Sequence, residues 1–305
     1  MSEKGGRDIV LLDGGMGQEL MRRSARPPAP LWSADTLAEE PELVTAVHRD
    51  FVAAGARVLT TAGYSVTPGR LAKARREAAF ETLQAAALTA AAEARAGAAH
   101  PVRIAGCLPP LLASYQPFLA PEPAAALAGY RRLVAAQRPG VDLYLGETLP
   151  SIAEARAALD AARESGLPVW IAFTVDDADG RRLRSGEPLA EAAQAIAEAG
   201  AEAVLVNCSR PETIGVSVPE LVCAGVPFGA YANGFTGVEA LRPGLTVAVL
   251  EARRDLDPAT YAAHALAWVA EGASIVGGCC EVGPAHIAAL ARALEGAGHR
   301  LVSAV

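Results

Sequence analysis

The chain has little with which to staple itself or span a bilayer. Five cysteines in 305 residues make no disulfide framework. The N-terminal stretch MSEKGGRD lacks the apolar core of a secretory signal. Together they lead to the expectation of a reducing, cytoplasmic setting. Hydrophobic residues make up 51% of the chain, yet no run of eighteen or more is apolar. Alanine-rich stretches such as LQAAALTAAAEARAGAA are broken by Glu93 and Arg95 and read as helix rather than membrane span. Excess positive charge is also missing. A net charge of −7 argues against a nucleic-acid surface. The basic cluster RLAKARREAAF, around residues 70–76, is expected to be a solvated helix face. No Pro/Ser-rich linker, short repeat or low-complexity tract divides the sequence, so residues 1–305 read as a single domain.

What is present is alternation. Eight short, nearly continuous apolar runs lie at 9–15, 56–64, 102–108, 141–149, 169–175, 201–209, 227–234 and 273–280, as expected of strands buried on both faces. Amphipathic helical patterns separate them. SIAEARAALDAARESG opens on a capping box, Ser151 with Glu154, and closes on Gly166. DPATYAAHALAWVAEG opens on Asp257 with Pro258 in its first turn. Eight strand–helix repeats predict an α/β fold, a (β/α)8 TIM barrel, over a doubly wound open sheet.

In such a barrel the active site gathers at the C-terminal strand ends, here near residues 15, 64, 107, 148, 175, 208, 233 and 280. Those ends carry Asp13, Tyr64, Cys107, Glu147, Cys208, Asn233 and the adjacent pair Cys279 and Cys280. Neighbouring cysteines almost never bridge each other, because a disulfide needs Cα atoms usually more than about 4.4 Å apart. Three thiols from the sixth and eighth strands instead make three ligands of a tetrahedral zinc site with one position open. Three thiolates damp the Lewis acidity of the ion, which then suits holding a fourth sulfur better than activating water. Cys223, ahead of the seventh strand, is expected in the core. Cys107 ends a strand at the pocket, and nothing requires it to bind metal.

The segments DGGMGQEL, LWSAD, TAGYSVT, GETLPSIAEA, VNCS and GGCC, with Pro284, His286 and Ile287 after the pair, occur in an order that resembles the homocysteine S-methyltransferase family. The likeness runs from about residue 9 to 295 and is greatest to the single-domain branch that uses S-methylmethionine. It implies zinc held by Cys208, Cys279 and Cys280, with homocysteine as the fourth, sulfur ligand. Asp13 and Glu147 match acidic residues aimed at the homocysteine amino group, and Gly14 and Gly15 let backbone N–H groups approach its carboxylate. Trp32 and Tyr64 match aromatics that would face a cationic donor, and Asn233 matches an asparagine that orients a loop or ligand.

Several positions depart from the family pattern. Gln18 stands where Thr or Ser is usual, AGCLPPL and YANGF replace commoner motifs, and Glu281 places an acid beside the cysteine pair. The expected function is zinc-dependent methyl transfer from a sulfonium donor to homocysteine, a small-molecule reaction without nucleic-acid or membrane partners. Betaine is an alternative donor, and the acceptor could be a related thiol or selenol. A metal-free lyase using Asp13 and Glu147, or a non-catalytic zinc thiol-binding barrel, are the rival readings. The long stretch from Asn233 to Asp257 is expected to lie over the barrel mouth.

Overall fold

The computed structural model describes residues 6–25, 31–241, 245 and 247–304, with Trp32 and Ala248 described by their backbone only. Nine strands are present among these residues. They are β1 (Asp8–Leu11), β2 (Val58–Thr60), β3 (Arg103–Leu108), β4 (Leu143–Leu149), β5 (Val169–Phe173), β6 (Ala203–Asn207), β7 (Phe228–Tyr231), β8 (Ile275–Val276) and β9 (Arg300–Val302). Helices α1 (Met16–Arg23), α2 (Trp32–Glu39) and α3 (Pro41–Ala53) precede β2, and α4 (Pro68–Lys73) and α5 (Phe80–Ala96) precede β3. The rest are α6 (Pro123–Gln137), α7 (Ile152–Arg163), α8 (Leu189–Glu198), α9 (Pro211–Ser217), α10 (Pro258–Ala270) and α11 (Pro284–Gly296).

Each of the eight expected apolar runs contains one strand of an all-parallel sheet that runs from β2 through β8 to β1. The ring closes between β1 and β2, where Leu12 bridges Val58 and the Arg57 N–H donates to the Leu11 carbonyl at 2.7 Å. The fold is the expected (β/α)8 barrel. β9 was not expected; it pairs with residues 8–10 of β1, below the point where β2 joins the same edge. The strands are shorter than the apolar runs, so most of the residues expected at strand ends lie in the turns just beyond them.

Alternation along each strand splits the core into two shells. Val10, Leu12, Leu143, Leu145, Trp170 and Leu205 point into the barrel. Ile9, Leu11, Ile104, Ile171 and Val204 point outward beneath the helices. That interior packing fills the barrel and leaves its mouth as the place for chemistry.

Two helix starts follow the sequence closely. The Ser151 hydroxyl accepts the Glu154 N–H at 3.3 Å, and the Asp257 carboxylate accepts the Thr260 N–H at 2.8 Å. The Glu154 carboxylate does not complete the box. It is buried and accepts from Leu111 N at 3.0 Å and the Tyr130 hydroxyl at 3.2 Å, tying the β3 loop to the helix layer. Cys223 is exposed rather than in the core, because it falls in the last turn of an outer 3-10 helix, Val218–Ala224. Among the described residues no helix is long and apolar enough to cross a membrane.

Candidate metal and substrate site at the barrel mouth

Cys208 follows β6, and Cys279 and Cys280 follow β8. Their sulfurs lie within 4.8 Å of one another, with Cys208 Sγ 3.8 Å from Cys280 Sγ. Three backbone contacts aim them. The Cys208 N–H donates to the Tyr231 carbonyl at 3.0 Å, the Cys279 N–H donates to the Ala232 carbonyl at 2.9 Å, and the Cys280 carbonyl accepts the Gly234 N–H at 2.8 Å. Both cysteine segments are therefore pinned to β7 and its exit turn. The pair also needs glycine opposite it. A Cβ on Gly15 would lie 2.6 Å from the Cys279 carbonyl oxygen, and one on Gly278 would lie 2.2 Å from a Val282 methyl. Neither approach is possible for a larger residue.

The thiols differ in acidity. Burial works against ionising Cys208, but hydrogen bonds from Cys279, Cys280 and Tyr115 outweigh it and hold that thiol well below the ordinary range. The Tyr115 hydroxyl lies 3.0 Å from Cys208 Sγ, so against a thiolate it must donate. Cys279 and Cys280 are pushed up as they donate to Cys208. One anion shared among three thiols is a soft donor set. A tetrahedral ion with zinc–sulfur bonds of about 2.3 Å requires sulfur–sulfur edges of about 3.8 Å, which is the Cys208–Cys280 separation. The three residues fit such an ion with one position left open.

Two carboxyls face the same space. Asp13 is buried just beyond β1, and Thr60 N–H donates to its Oδ2 at 2.8 Å. Burial pushes Asp13 well up, against the pull of Thr60, and the neighbouring Glu147 adds to the rise. Glu147 sits where β4 breaks register between Gly146 and Leu149. Thr148 takes a left-handed φ of 60° there. Asn207 locks this bulge, accepting the Thr148 N–H at 2.8 Å and donating to its hydroxyl at 2.9 Å. Bulges of this kind re-aim a side chain. Burial pushes Glu147 up to about 7, while the Cys107 thiol, 2.9 Å from Oε1, pulls the other way. Among the described residues neither Asp13 nor Glu147 has a cationic partner.

Asp13, Glu147 and the three cysteines border a single cavity of about 510 Å³. Its floor continues into the first turn of α1, where the N–H groups of Gly17 and Gln18 have no acceptor among the described residues. The Gly15 N–H donates to the Val282 carbonyl at 2.9 Å, so the amides without an acceptor among the described residues are those of Gly14 and of the α1 first turn rather than that of Gly15. The β7–α10 connection does lie over the mouth. Leu241, Leu245 and Val247 border the cavity, and Gln116 reaches across to the Leu241 carbonyl at 3.0 Å.

Tyr64 borders the cavity, but an Arg70 guanidinium already covers its ring, 5.2 Å from the centroid. The Trp32 side chain lies outside the described residues. Asn233 is fully buried away from the cavity, and its Oδ1 accepts the Phe235 N–H at 3.1 Å to shape the exit turn of β7. Glu281 pairs with Arg22 at 2.5 Å, and its charge still adds to the upward push on the Cys280 thiol. Sequence reasoning missed Tyr115, Tyr231 and Asn207. Of these Tyr231 had a usable signal as an inward position on β7, and Asn207 as part of the VNCS segment.

Residues 10–294 match the homocysteine S-methyltransferase family. The chain is 32% identical to homocysteine S-methyltransferase 4 of Zea mays, covering 99% of this chain and 94% of that one. It is likewise 32% identical to the homocysteine S-methyltransferase of Escherichia coli strain K12, with 93% and 94% covered. The metallated form of the E. coli homocysteine methyltransferase MmuM superposes with a TM-score of 0.78 at 30% identity, covering 93% of this chain and 96% of that one. A chain-long match joined to three converging thiols places this protein in the homocysteine S-methyltransferase family.

Proposed function

We propose that the protein moves a methyl group from a sulfonium donor, S-methylmethionine, to the thiol of homocysteine, with zinc as its metal. One observation carries the reading: three mutually adjacent thiols share a cavity with two carboxyls, the buried Asp13 and the partly buried Glu147, that lack cationic partners among the described residues. Soft thiolate ligands select zinc among the common divalent ions. Cys208, Cys279 and Cys280 would hold the ion, which when bound keeps a substrate thiol ionised yet nucleophilic.

The chain's own residues do the positioning. Asp13 and Glu147 receive the homocysteine ammonium, whose charge favours their ionised forms. The α1 first-turn amides receive the carboxylate, where the helix dipole favours an anion. With both charged groups on its α-carbon held, the thiol at the other end of the amino acid is directed at the cysteine cluster. The methyl carbon then leaves the donor sulfur, which keeps the electron pair and becomes a neutral thioether, and bonds to the homocysteine sulfur. Two methionines result and the thiol proton is lost to solvent. No acid is needed for so good a leaving group, in keeping with the absence of histidine from the described lining. The acceleration comes from holding two reactants in line.

The test is direct. Purified protein given homocysteine and S-methylmethionine should form methionine, stop after zinc is stripped by chelation and resume when zinc is restored. Methionine formed from betaine alone would move the donor assignment, and no methionine from any sulfonium or ammonium donor would overturn the reading.

A further inference from the structure

The basic cluster at residues 70–76 is not uniformly solvated. Arg70, in α4, is half-buried and borders the cavity. We propose that Arg70 binds the carboxylate of the methyl donor and so helps determine which donor the site accepts. This rests on the methyl-transfer reading above.

The geometry holds Arg70 in place without satisfying it. Its Nη2 donates to the Pro110 carbonyl at 3.1 Å and the Ser114 hydroxyl at 3.3 Å, and its guanidinium stacks on Tyr64. Nε is shut off from solvent with no acceptor, and no described residue accepts from Nη1. The nearby Arg76 pairs with Asp35, but among the described residues no carboxylate lies within ion-pair distance of Arg70. A partly buried guanidinium without a counter-ion is costly, and a planar carboxylate is its best complement. A donor bearing only positive charge would be repelled by Arg70 and by Lys73 beside it in the lining. A donor that also carries a carboxylate resolves the conflict.

The cavity thus has two anion-receptive features for two carboxylate-bearing substrates. The α1 first turn follows Asp13 within five residues, so the amino acid whose ammonium meets Asp13 takes those amides. Arg70, on the far side of β2, is left for the donor. Tyr64 then acts as the platform that orients Arg70 rather than as a face for the methyl-bearing cation.

Calorimetric binding of S-methylmethionine and of its carboxamide, which keeps the sulfonium and removes the acid, reads the proposal without turnover. Wild-type zinc-loaded protein should bind the acid about 10- to 100-fold more tightly, the ratio expected of a charge-assisted pair. Arg70→Gln should erase that ratio with homocysteine affinity unchanged, and Arg70→Lys should keep part of it. Equal wild-type affinities, equal loss of both ligands in Arg70→Gln, weakened homocysteine instead, or no binding of either ligand would each overturn it. If Arg70→Gln fails to fold, the wild-type acid-to-amide ratio and Arg70→Lys still decide. Failure of methyl transfer itself would show as absent methionine and leave this binding ratio readable.

Discussion

Replacing Glu147 by glutamine keeps the shape of the side chain and removes its charge, so it separates the proposed role of Glu147 toward homocysteine from what the carboxyl costs the fold. Burial raises the folded carboxyl from its ordinary 4.5 to about 7. The folded protein therefore binds more protons at this group than the unfolded chain between those two values. Stability present below pH 4.5 is lost as pH rises to about 7 and stays lost above it. A shift of this size corresponds to about 3 kcal/mol. Glu147→Gln should match wild type near pH 4.5 in urea melts of the metal-free protein. At pH 8 it should be more stable by up to about 3 kcal/mol. The same change should raise the homocysteine KM about 10- to 100-fold, the loss of one charge-assisted hydrogen bond to the ammonium, while zinc content and donor KM hold. The homocysteine affinity of wild type should weaken as pH falls below about 7, where Glu147 takes up its proton, and the variant should lack that limb. Zinc on Cys208 would remove one upward push on Glu147, so the loaded enzyme should show this limb at lower pH than the metal-free protein. Equal stability at pH 8 combined with an unchanged homocysteine KM would refute the reasoning.

Cys208→Ser and Cys280→Ser should each strip zinc, measured by plasma mass spectrometry. Neither should change the circular dichroism spectrum, because a metal at a barrel mouth adds chemistry more than fold. His48, fully buried in α3 with neither ring nitrogen hydrogen-bonded, is lowered to about 4 by burial. Wild type should lose about 3 kcal/mol of stability on this account as pH falls from 6.5 to 4, and His48→Leu should lack that slope. Asn207→Ala should strand the Thr148 N–H and destabilise the fold by about 1–3 kcal/mol. Freed of its lock, the β4 bulge should also cost methionine formation more than tenfold in kcat/KM, about 1.4 kcal/mol or more of positioning.

The barrel was legible because its strands are buried on both faces. Near-continuous apolar runs cannot be half-solvated, and eight of them with helices between admit few topologies. The cysteine convergence followed from strand order alone, since Cys208, Cys279 and Cys280 leave strands separated by one neighbour. What the sequence hid is what depends on short elements or on the path of a turn. β9 is three residues long and carries no period. α4 has six residues, too few to show which face Arg70 occupies, so its charge alone pointed to solvent. Glu154 matched a capping box in spacing, but a buried carboxylate is drawn to the nearest unsatisfied donors, and the β3 loop offered the Leu111 N–H while α6 offered the Tyr130 hydroxyl. Cys223 was misplaced because cysteine is so often buried that its type outweighed its position in an outer turn.

Backbone strain marks the same site independently. Five described non-glycine residues take a left-handed φ: Arg75, Tyr115, Thr148, Cys208 and Glu281. Arg75 is an exposed helix end. The other four surround the cysteine cluster: one is a candidate ligand, one follows another, Tyr115 reaches Cys208, and Thr148 follows Glu147. Each such residue costs of order 1–2 kcal/mol, most clearly for Thr148, whose branched Cβ fits that region poorly. They persist because hydrogen bonds from other strands over-determine them: Asn207 for Thr148, and the Tyr231 carbonyl for Cys208. Regular strands project alternate side chains into the barrel or out under the helices, and neither direction brings three thiols and two carboxyls to one point above it. Turning the chain left-handed at the strand exits does. The strain at the mouth is thus the geometric consequence of placing three thiols and two carboxyls over a packed barrel interior.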